Sequence, residues 1–430
     1  MKLGMISLGC AKNTIDTELF LGLSKKYNLE ITSNIEDADI LVVNTCGFIE
    51  SAKKEAIDTI LELVEYKEKG KIIIAMGCLV ERYLNDLKES IPEVDYFVPI
   101  REYKNLDKIF KEITSSTDSF SFDYKDRVLT SYDHSVYIRI AEGCDNRCSY
   151  CAIPLIRGNF VSRPFNDIIE EAKILVKNGA KELTVIAQDT TRYGTDFENG
   201  PYIEDLLREL SKIDGVKWVR ILYLYPDEVT DNLLEEIRNN PKILPYFDLP
   251  LQHISDNMLT AMNRRGNKLE IKELISKIRS IPNSILRTTF IVGFPGETEE
   301  DFSELLEFVK ETKFDRFGVF TYSDEEDTPG YTMKPKVLKS VMKKRYSQIM
   351  KTQSNISLQN NKSFIGKSLE VIIDNYDFDK NAYIGRSYSY APDDVDGCIY
   401  IYSENPLIIG EFYNVSVIKA SEYDLYAIIK

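Results

Sequence analysis

Three apolar runs in the first eighty residues each stop at a cysteine: MKLGMISLGC (1–10), ADILVVNTC (38–46) and KIIIAMGC (71–78). Amphipathic stretches near 14–26, 51–69 and 80–90 follow them, and in the second Ala56, Ile60, Leu63 and Val64 fall on one helical face. Strands that alternate with helices predict a parallel sheet covered on both sides. The carboxyl edge of such a sheet is its binding crevice. Cys10, Cys46 and Cys78 are therefore expected side by side at that edge, although the chain separates them widely. One strand-end cysteine is ordinary packing, because a free thiol behaves as a small hydrophobe. Three at one edge call for another explanation.

A chain of 430 residues is too long for one core. The polar, aperiodic stretch SSTDSFSFDYKD (115–126) reads as a linker, placed over 116–130. Six strand-like segments follow: SVYIRIA (135–141), ELTVIAQ (182–188), VKWVRIL (216–222), YFDLPL (246–251), ILRTTFIV (285–292) and RFGVFTY (316–322). Helical patterns lie between them, such as IIEEAKILV, whose Ile168, Ile169, Ala172, Leu175 and Val176 form one core-facing stripe. Six βα repeats predict a partial (βα)6 barrel with its working residues at the strands' C-terminal ends. A charged amphipathic helix over 336–361 leads out of it. The tail then offers five β-rich pieces, which predict a small closed all-β barrel. The expected fold is α/β: an N-terminal parallel α/β domain (1–115), a central barrel with its exit helix (131–361) and a C-terminal β-barrel (362–430).

Net charge is 54 − 69 = −15, so the surface favours basic partners over nucleic-acid phosphates. No apolar run approaches the roughly 18–20 residues of a membrane span. The start lacks a signal-peptide pattern, and a cytoplasmic protein is expected. In a reducing compartment seven cysteines point to metal ligation or catalysis before disulfides. His134 and His253 are the only histidines, which disfavours chemistry built on several imidazoles.

EGCDNRCSYC (142–151) places Cys144, Cys148 and Cys151 in a CxxxCxxC spacing just after the first barrel strand. Three close thiolates at a barrel mouth suit a soft metal or an iron–sulfur cluster. Structural zinc normally takes four ligands in CxxC pairs, and no fourth Cys or His is near in sequence. Three ligands on a four-iron cluster leave one iron open.

CxxxCxxC with Tyr150 before the third cysteine resembles the radical S-adenosylmethionine (SAM) superfamily. An α/β domain with three strand-end cysteines ahead of such a barrel resembles its methylthiotransferase family. The resemblance covers SLGCAKNTIDTE (7–18), NTCGFIESAKKE (44–55), AEGCDNRCSYCAIPLIRG (141–158), LPLQHISDNMLTAMNRRG (249–266), TTFIVGFPGET (288–298) and VFTYSDEEDTPGY (319–331), and the tail is similar to a TRAM domain. Two branches of the family compete. One modifies an isopentenyl-adenosine of tRNA, the other an aspartate of the twelfth small-subunit ribosomal protein. LPLQHIS and GRSYSYAPDDVDG (385–397) are closer to the second, although Tyr390 and an extra acidic residue depart from its tail motif. The tail agrees: Lys362 to Lys430 holds 6 basic and 11 acidic residues, net −5, which suits a basic protein better than RNA.

The resemblance implies two 4Fe–4S clusters. Cys144, Cys148 and Cys151 would hold the one that binds and cleaves SAM; Cys10, Cys46 and Cys78 would hold a second that carries the sulfur. The radical so formed would take a hydrogen from the aspartate β-carbon, and a reduced flavodoxin or ferredoxin would supply the electron. Gln188 contacts SAM or caps the next helix. Gly293 and Gly296 admit close approach at the SAM site or simply form the turn. His253 lines the substrate cleft or is structural, and Arg157 meets a carboxylate or is solvated. Cys398 is read as packing. A rival of another class is a non-catalytic iron–sulfur carrier with a β-barrel interaction module.

Overall fold

A computed structural model describes every residue except Asp394 and Lys430. Its first part is a parallel sheet of β1 (Lys2–Ser7), β2 (Glu30–Thr32), β3 (Ile40–Thr45), β4 (Ile72–Gly77) and β5 (Tyr96–Val98) in the order β2-β1-β3-β4-β5. β3 is buried along its whole length because helices cover both faces. Helix α1 (Ala11–Lys26) follows β1, α2 (Glu50–Val64) follows β3, and α3 (Cys78–Ser90) follows β4. In α2 the buried residues are Ala56, Ile60 and Leu63, the stripe read from the sequence. β2 and β5 were not foreseen; at three residues each they carry no readable alternation.

The expected linker is not slack. Phe120, Phe122 and Val128 pack on the first domain's core, and the buried Arg127 bridges Glu18 of α1 and Glu171 of a barrel helix. All six central strands exist and run parallel: β6 (Ser135–Arg139), β7 (Glu182–Ile186), β8 (Trp218–Ile221), β9 (Tyr246–Asp248), β10 (Ile285–Val292) and β11 (Arg316–Thr321). They form two three-stranded sheets, with a parallel bridge from Val219 to Ile243 between them. Alternation decides what each face meets. Leu183 and Val185 of β7 join the cluster beneath the outer helices, whereas Ile186, Trp218, Leu222, Tyr246 and Ile285 join a different one. That second cluster also takes Ala11, Ile15 and Leu19 from α1 and Ile372 and Ala391 from the tail. Both ends of the chain thus fill the inner face of the partial barrel.

Helix α4 (Lys339–Lys362) leaves the barrel and leads to β12 (Ser368–Asp377), β13 (Ala382–Arg386), β14 (Ile399–Tyr402), β15 (Phe412–Ala420) and β16 (Leu425–Ile429), which close into a barrel. Its docking is electrostatic as well as apolar. Glu182 of β7 accepts from Arg220 of β8 and Arg386 of β13, all three side chains 5% exposed or less. Arg316 donates to the Ser389 carbonyl, and its guanidinium lies 4.0 Å from the ring of the buried Tyr390. The GRSYSYAPDDVDG stretch is therefore the strap between barrel and tail; its Asp394 lies outside the described residues. His134 joins the same seam through Asp374. Among the described residues no helix is long and apolar enough to cross a membrane.

Candidate functional site

Each of the first three cysteines sits where a strand turns into a helix. Cys10 caps α1, Cys46 follows β3, and Cys78 opens α3. Gly77 has φ +106°, and a Cβ there would lie 2.4 Å from the Asn44 side-chain oxygen, so only glycine lets the two turns close. Asn13 ties them together: its amide nitrogen donates to the Leu8 and Thr45 carbonyls, and its oxygen lies 3.5 Å from the Cys78 sulfur. Asn44 in turn donates to the Asn13 carbonyl. A Cβ at Gly9 would lie 3.3 Å from the Cys46 sulfur and one at Gly47 2.9 Å from the Cys78 carbonyl carbon, so the three cysteine turns pack against one another.

The second trio occupies the loop after β6. Cys151 donates its backbone N–H to the Cys148 carbonyl, and Cys144 to the Gly158 carbonyl. The 249–266 stretch wraps this loop: Ser149 N–H donates to the Met262 carbonyl, Asn263 to the Arg147 carbonyl and Arg265 to Asn146. Arg264, 9% exposed, brings Nη1 to 3.9 Å from the Cys148 sulfur and lies 3.9 Å from the Tyr225 ring, whose hydroxyl is 3.6 Å from the same sulfur.

The two trios meet. Cys78, Ala152 and Ile156 form one buried apolar cluster, so a first-domain thiol packs on residues directly after Cys151. Arg157 completes the joint. Its Nη2 lies 2.7 Å from Asp16 and 3.6 Å from the Cys78 sulfur, and its Nη1 lies 3.3 Å from Glu142. Arg139 pairs with the same two carboxylates at 2.6 and 3.1 Å, and Gln188 donates to Glu142 at 3.1 Å. Burial opposes ionisation of Asp16, but Arg157 and Arg139 outweigh it and hold the carboxyl below its ordinary range. Burial pushes the Cys78 thiol up to about 12 and Cys144 up to about 11, and it raises Cys46 and Cys151. Such thiols become ligands only where a metal displaces the proton.

Between the trios' loops lies a cavity of about 440 Å³, lined by Phe48, Ile49, Tyr150, Gln252, Thr289, Ile291, Phe320 and Met342. Its rim is held by Glu325, which pairs with Lys53 at 2.9 Å and Arg82 at 2.8 Å. The NTCGFIESAKKE and YSDEEDTPGY stretches are thus two sides of one joint. Two buried polar atoms near the trios, Gln188 Oε1 and the Tyr103 hydroxyl, have no hydrogen-bond partner among the described residues.

Other expected site residues fare differently. Gly293 (φ +81°) and Gly296 (φ +85°) both adopt the left-handed conformation of the turn. At Gly293 the close approach comes from Met342; nothing lies within 4 Å of a Cβ at Gly296. His253 does not line a cleft: it is fully buried, accepts from Ser255 N–H and meets Glu297 at 3.3 Å. Arg157 takes the carboxylate alternative, and Cys398 lies 3.8 Å from Asp424 in the tail, away from both trios. Sequence reading missed Lys12, Asp16, Glu142, Tyr225 and Arg264. All but Tyr225 lie within the motif stretches, but only the fold shows them beside the cysteines.

Among the described residues no group of His, Cys, Asp and Glu is gathered to hold a single metal ion. Three separate stretches match family models: residues 2–99 the Uncharacterized protein family UPF0004, 138–309 the Radical SAM superfamily and 365–429 the TRAM domain. The chain is 48% identical to the ribosomal protein uS12 methylthiotransferase RimO of Clostridium botulinum (strain Eklund 17B / Type B), covering 100% of this chain and 98% of that protein. It is 48% identical to the protein of that name from Thermoanaerobacter sp. (strain X514), over 98% of each chain. Among solved structures it is similar in fold to the radical SAM methyltransferase TsrM of Kitasatospora setae (TM-score 0.58, 14% identity, 76% of both chains). It is also similar to the cobalamin-dependent radical SAM enzyme OxsB (TM-score 0.53, 13% identity, 81% of this chain and 56% of the other).

Proposed function

Since the chain belongs to the ribosomal protein uS12 methylthiotransferase family, we propose that it inserts a methylthio group at the β-carbon of an aspartate in uS12 by radical SAM chemistry. The observation that carries this reading is the joint at Arg157, where Cys78 of the first domain packs on the segment that follows Cys151. Cys144, Cys148 and Cys151 are assigned to one 4Fe–4S cluster, and Cys10, Cys46 and Cys78 to a second.

The donor chemistry fits. Each loop set brings three soft thiols and, among the described residues, a guanidinium within 4 Å of one sulfur, where it offsets the negative charge of a thiolate-ligated cluster. The N-termini of α1 and α3, with their unpaired N–H groups, face the first trio's site with positive dipole ends. When bound, these groups supply one-electron cleavage of SAM at one trio and the sulfur for transfer at the other. The chain's part is to hold and shield. Tyr150, Gln252, Thr289 and Ile291 offer a mixed polar and apolar wall for the SAM nucleoside, and Gln188 Oε1 a free acceptor. The β-hydrogen of an aspartate is not acidic enough for any side chain here to remove as a proton, so acid–base residues are not required. The acidic tail suits a basic ribosomal protein, and the electron is assigned to a reduced flavodoxin or ferredoxin in the cytoplasm.

Mass spectrometry of uS12 and of tRNA nucleosides, from cells with and without the gene, tests the reading. The expected loss is the methylthio mass on the uS12 aspartate with the nucleosides unchanged. Loss of a methylthio-nucleoside instead would sink it. Iron and acid-labile sulfide should fall by half when either trio is replaced by alanines.

A further inference from the structure

Lys12 stands out among the buried charges. It is 7% exposed, two residues after Cys10, on the first turn of α1. Its ammonium lies 2.8 Å from the centroid of the Tyr223 ring, and among the described residues no carboxylate or carbonyl accepts from it. The other interior cations of the joint, Arg127, Arg139 and Arg157, each pair with at least one carboxylate. A cation–π contact recovers only part of what a buried ammonium loses on leaving water. The spare hydrogen-bonding capacity therefore awaits an anion.

Its setting is built. Tyr223 is held at φ +64°, rare for a residue with a side chain, and Asp248 accepts its N–H at 2.9 Å. Both lie just past or at the C-terminal ends of β8 and β9, the rim on which a barrel's chemistry takes place. Asp248 is itself engaged by that N–H and by Arg287 at 3.4 Å, and it does not reach Lys12 within ion-pair distance. The strained backbone thus delivers an aromatic platform to a cation with no carboxylate within ion-pair distance among the described residues, Asp248 and Glu142 acting on it only from further off.

Resting on the aspartate reading above, we propose that Lys12 is the residue that receives the side-chain carboxylate of the substrate aspartate. The reacting β-carbon is bonded directly to that carboxyl carbon. A cation that grips the carboxylate therefore fixes the β-hydrogens three bonds from the gripped oxygen, beside Cys10 of the first trio. It also makes the site selective for aspartate over asparagine, which has the same shape without the charge.

Equilibrium binding of purified uS12 to the reconstituted holoenzyme, without reductant so that no turnover occurs, tests this. The probe is uS12 with aspartate or with asparagine at the modified position. Wild type is expected to bind the aspartate form about tenfold or more tightly, as one charge-assisted hydrogen bond allows. K12M should bring the two affinities together, and K12R should keep the preference. Iron and sulfide contents of both variants should match wild type. K12M retaining the preference, wild type showing none, or K12M losing iron in step with binding would each overturn the assignment. If wild type neither binds nor modifies uS12, the functional reading fails and takes this one with it. If wild type does both and K12M still discriminates, only Lys12 falls.

Discussion

Arg157 shows how much of the site hangs on single side chains. It is almost fully buried and meets Asp16 from one domain and Glu142 from the next. Replacing it by alanine takes one of two counter-charges from the buried Asp16 and one from the part-exposed Glu142. R157A is expected to lose about 3–5 kcal/mol of stability, measured by urea unfolding, and to hold less iron than wild type. R157K keeps the charge but not the fork that spans both acids, and should fall between them. The cysteines were legible in the sequence because spacing and strand-end position speak for themselves. Arg157 was legible as a residue that could meet a carboxylate, but its partners Asp16 and Glu142 were not, since they come from other segments and buried pairs leave no mark on a charge pattern. Of the two roles open to His253 in the sequence, the fold takes the structural one: packing against Glu297 encloses it.

Elements were legible to the extent that periodicity was. The six central strands follow from short apolar runs, several of them buried at every position, and the stripes of Ala56, Ile60 and Leu63 or Ile168, Ala172 and Leu175 from helical periodicity. Helix α1 shows almost no amphipathic bias because it is buried on nearly every side, between its own sheet and the barrel. The turn after β10 provides a test at this scale. Gly296→Ala meets open space and pays only for the left-handed backbone, about 1–2 kcal/mol. Gly293→Ala carries the same strain and drives a Cβ to 2.3 Å from the Met342 side chain. G293A should therefore be the more destabilised in thermal unfolding, and G293A with M342A should cost less than the sum of the two single changes, whereas G296A and M342A should add.

At the scale of the molecule, the tail is held by a charge that the medium can remove. Burial alone would raise Glu182, yet Arg386 and Arg220 hold its carboxyl down at about 2. Its contribution, about 3 kcal/mol against an unfolded carboxyl near 4.3, is fully present above that value and disappears as pH falls towards 2. Trp218, the sole tryptophan, reports the same seam: its ring packs edge-on against Phe412 of β15 at 4.7 Å. The stability gap between wild type and E182Q, followed by Trp218 fluorescence in urea, should be widest above pH 4.5 and close towards pH 2. A gap independent of pH would refute the ionic account of docking. Three-part organisation could be read from composition and repeats, but not how closely the parts share one interior. The trough of the half-barrel is lined with Ile186, Trp218, Leu222 and Tyr246 and is covered by Ile15 and Leu19 from one end of the chain and Ile372 and Ala391 from the other. A truncated product beginning near residue 131 would thus bare a greasy channel and precipitate. Chimaeras assembled from two relatives should keep the opening helix and the closing module with the strands that they cover.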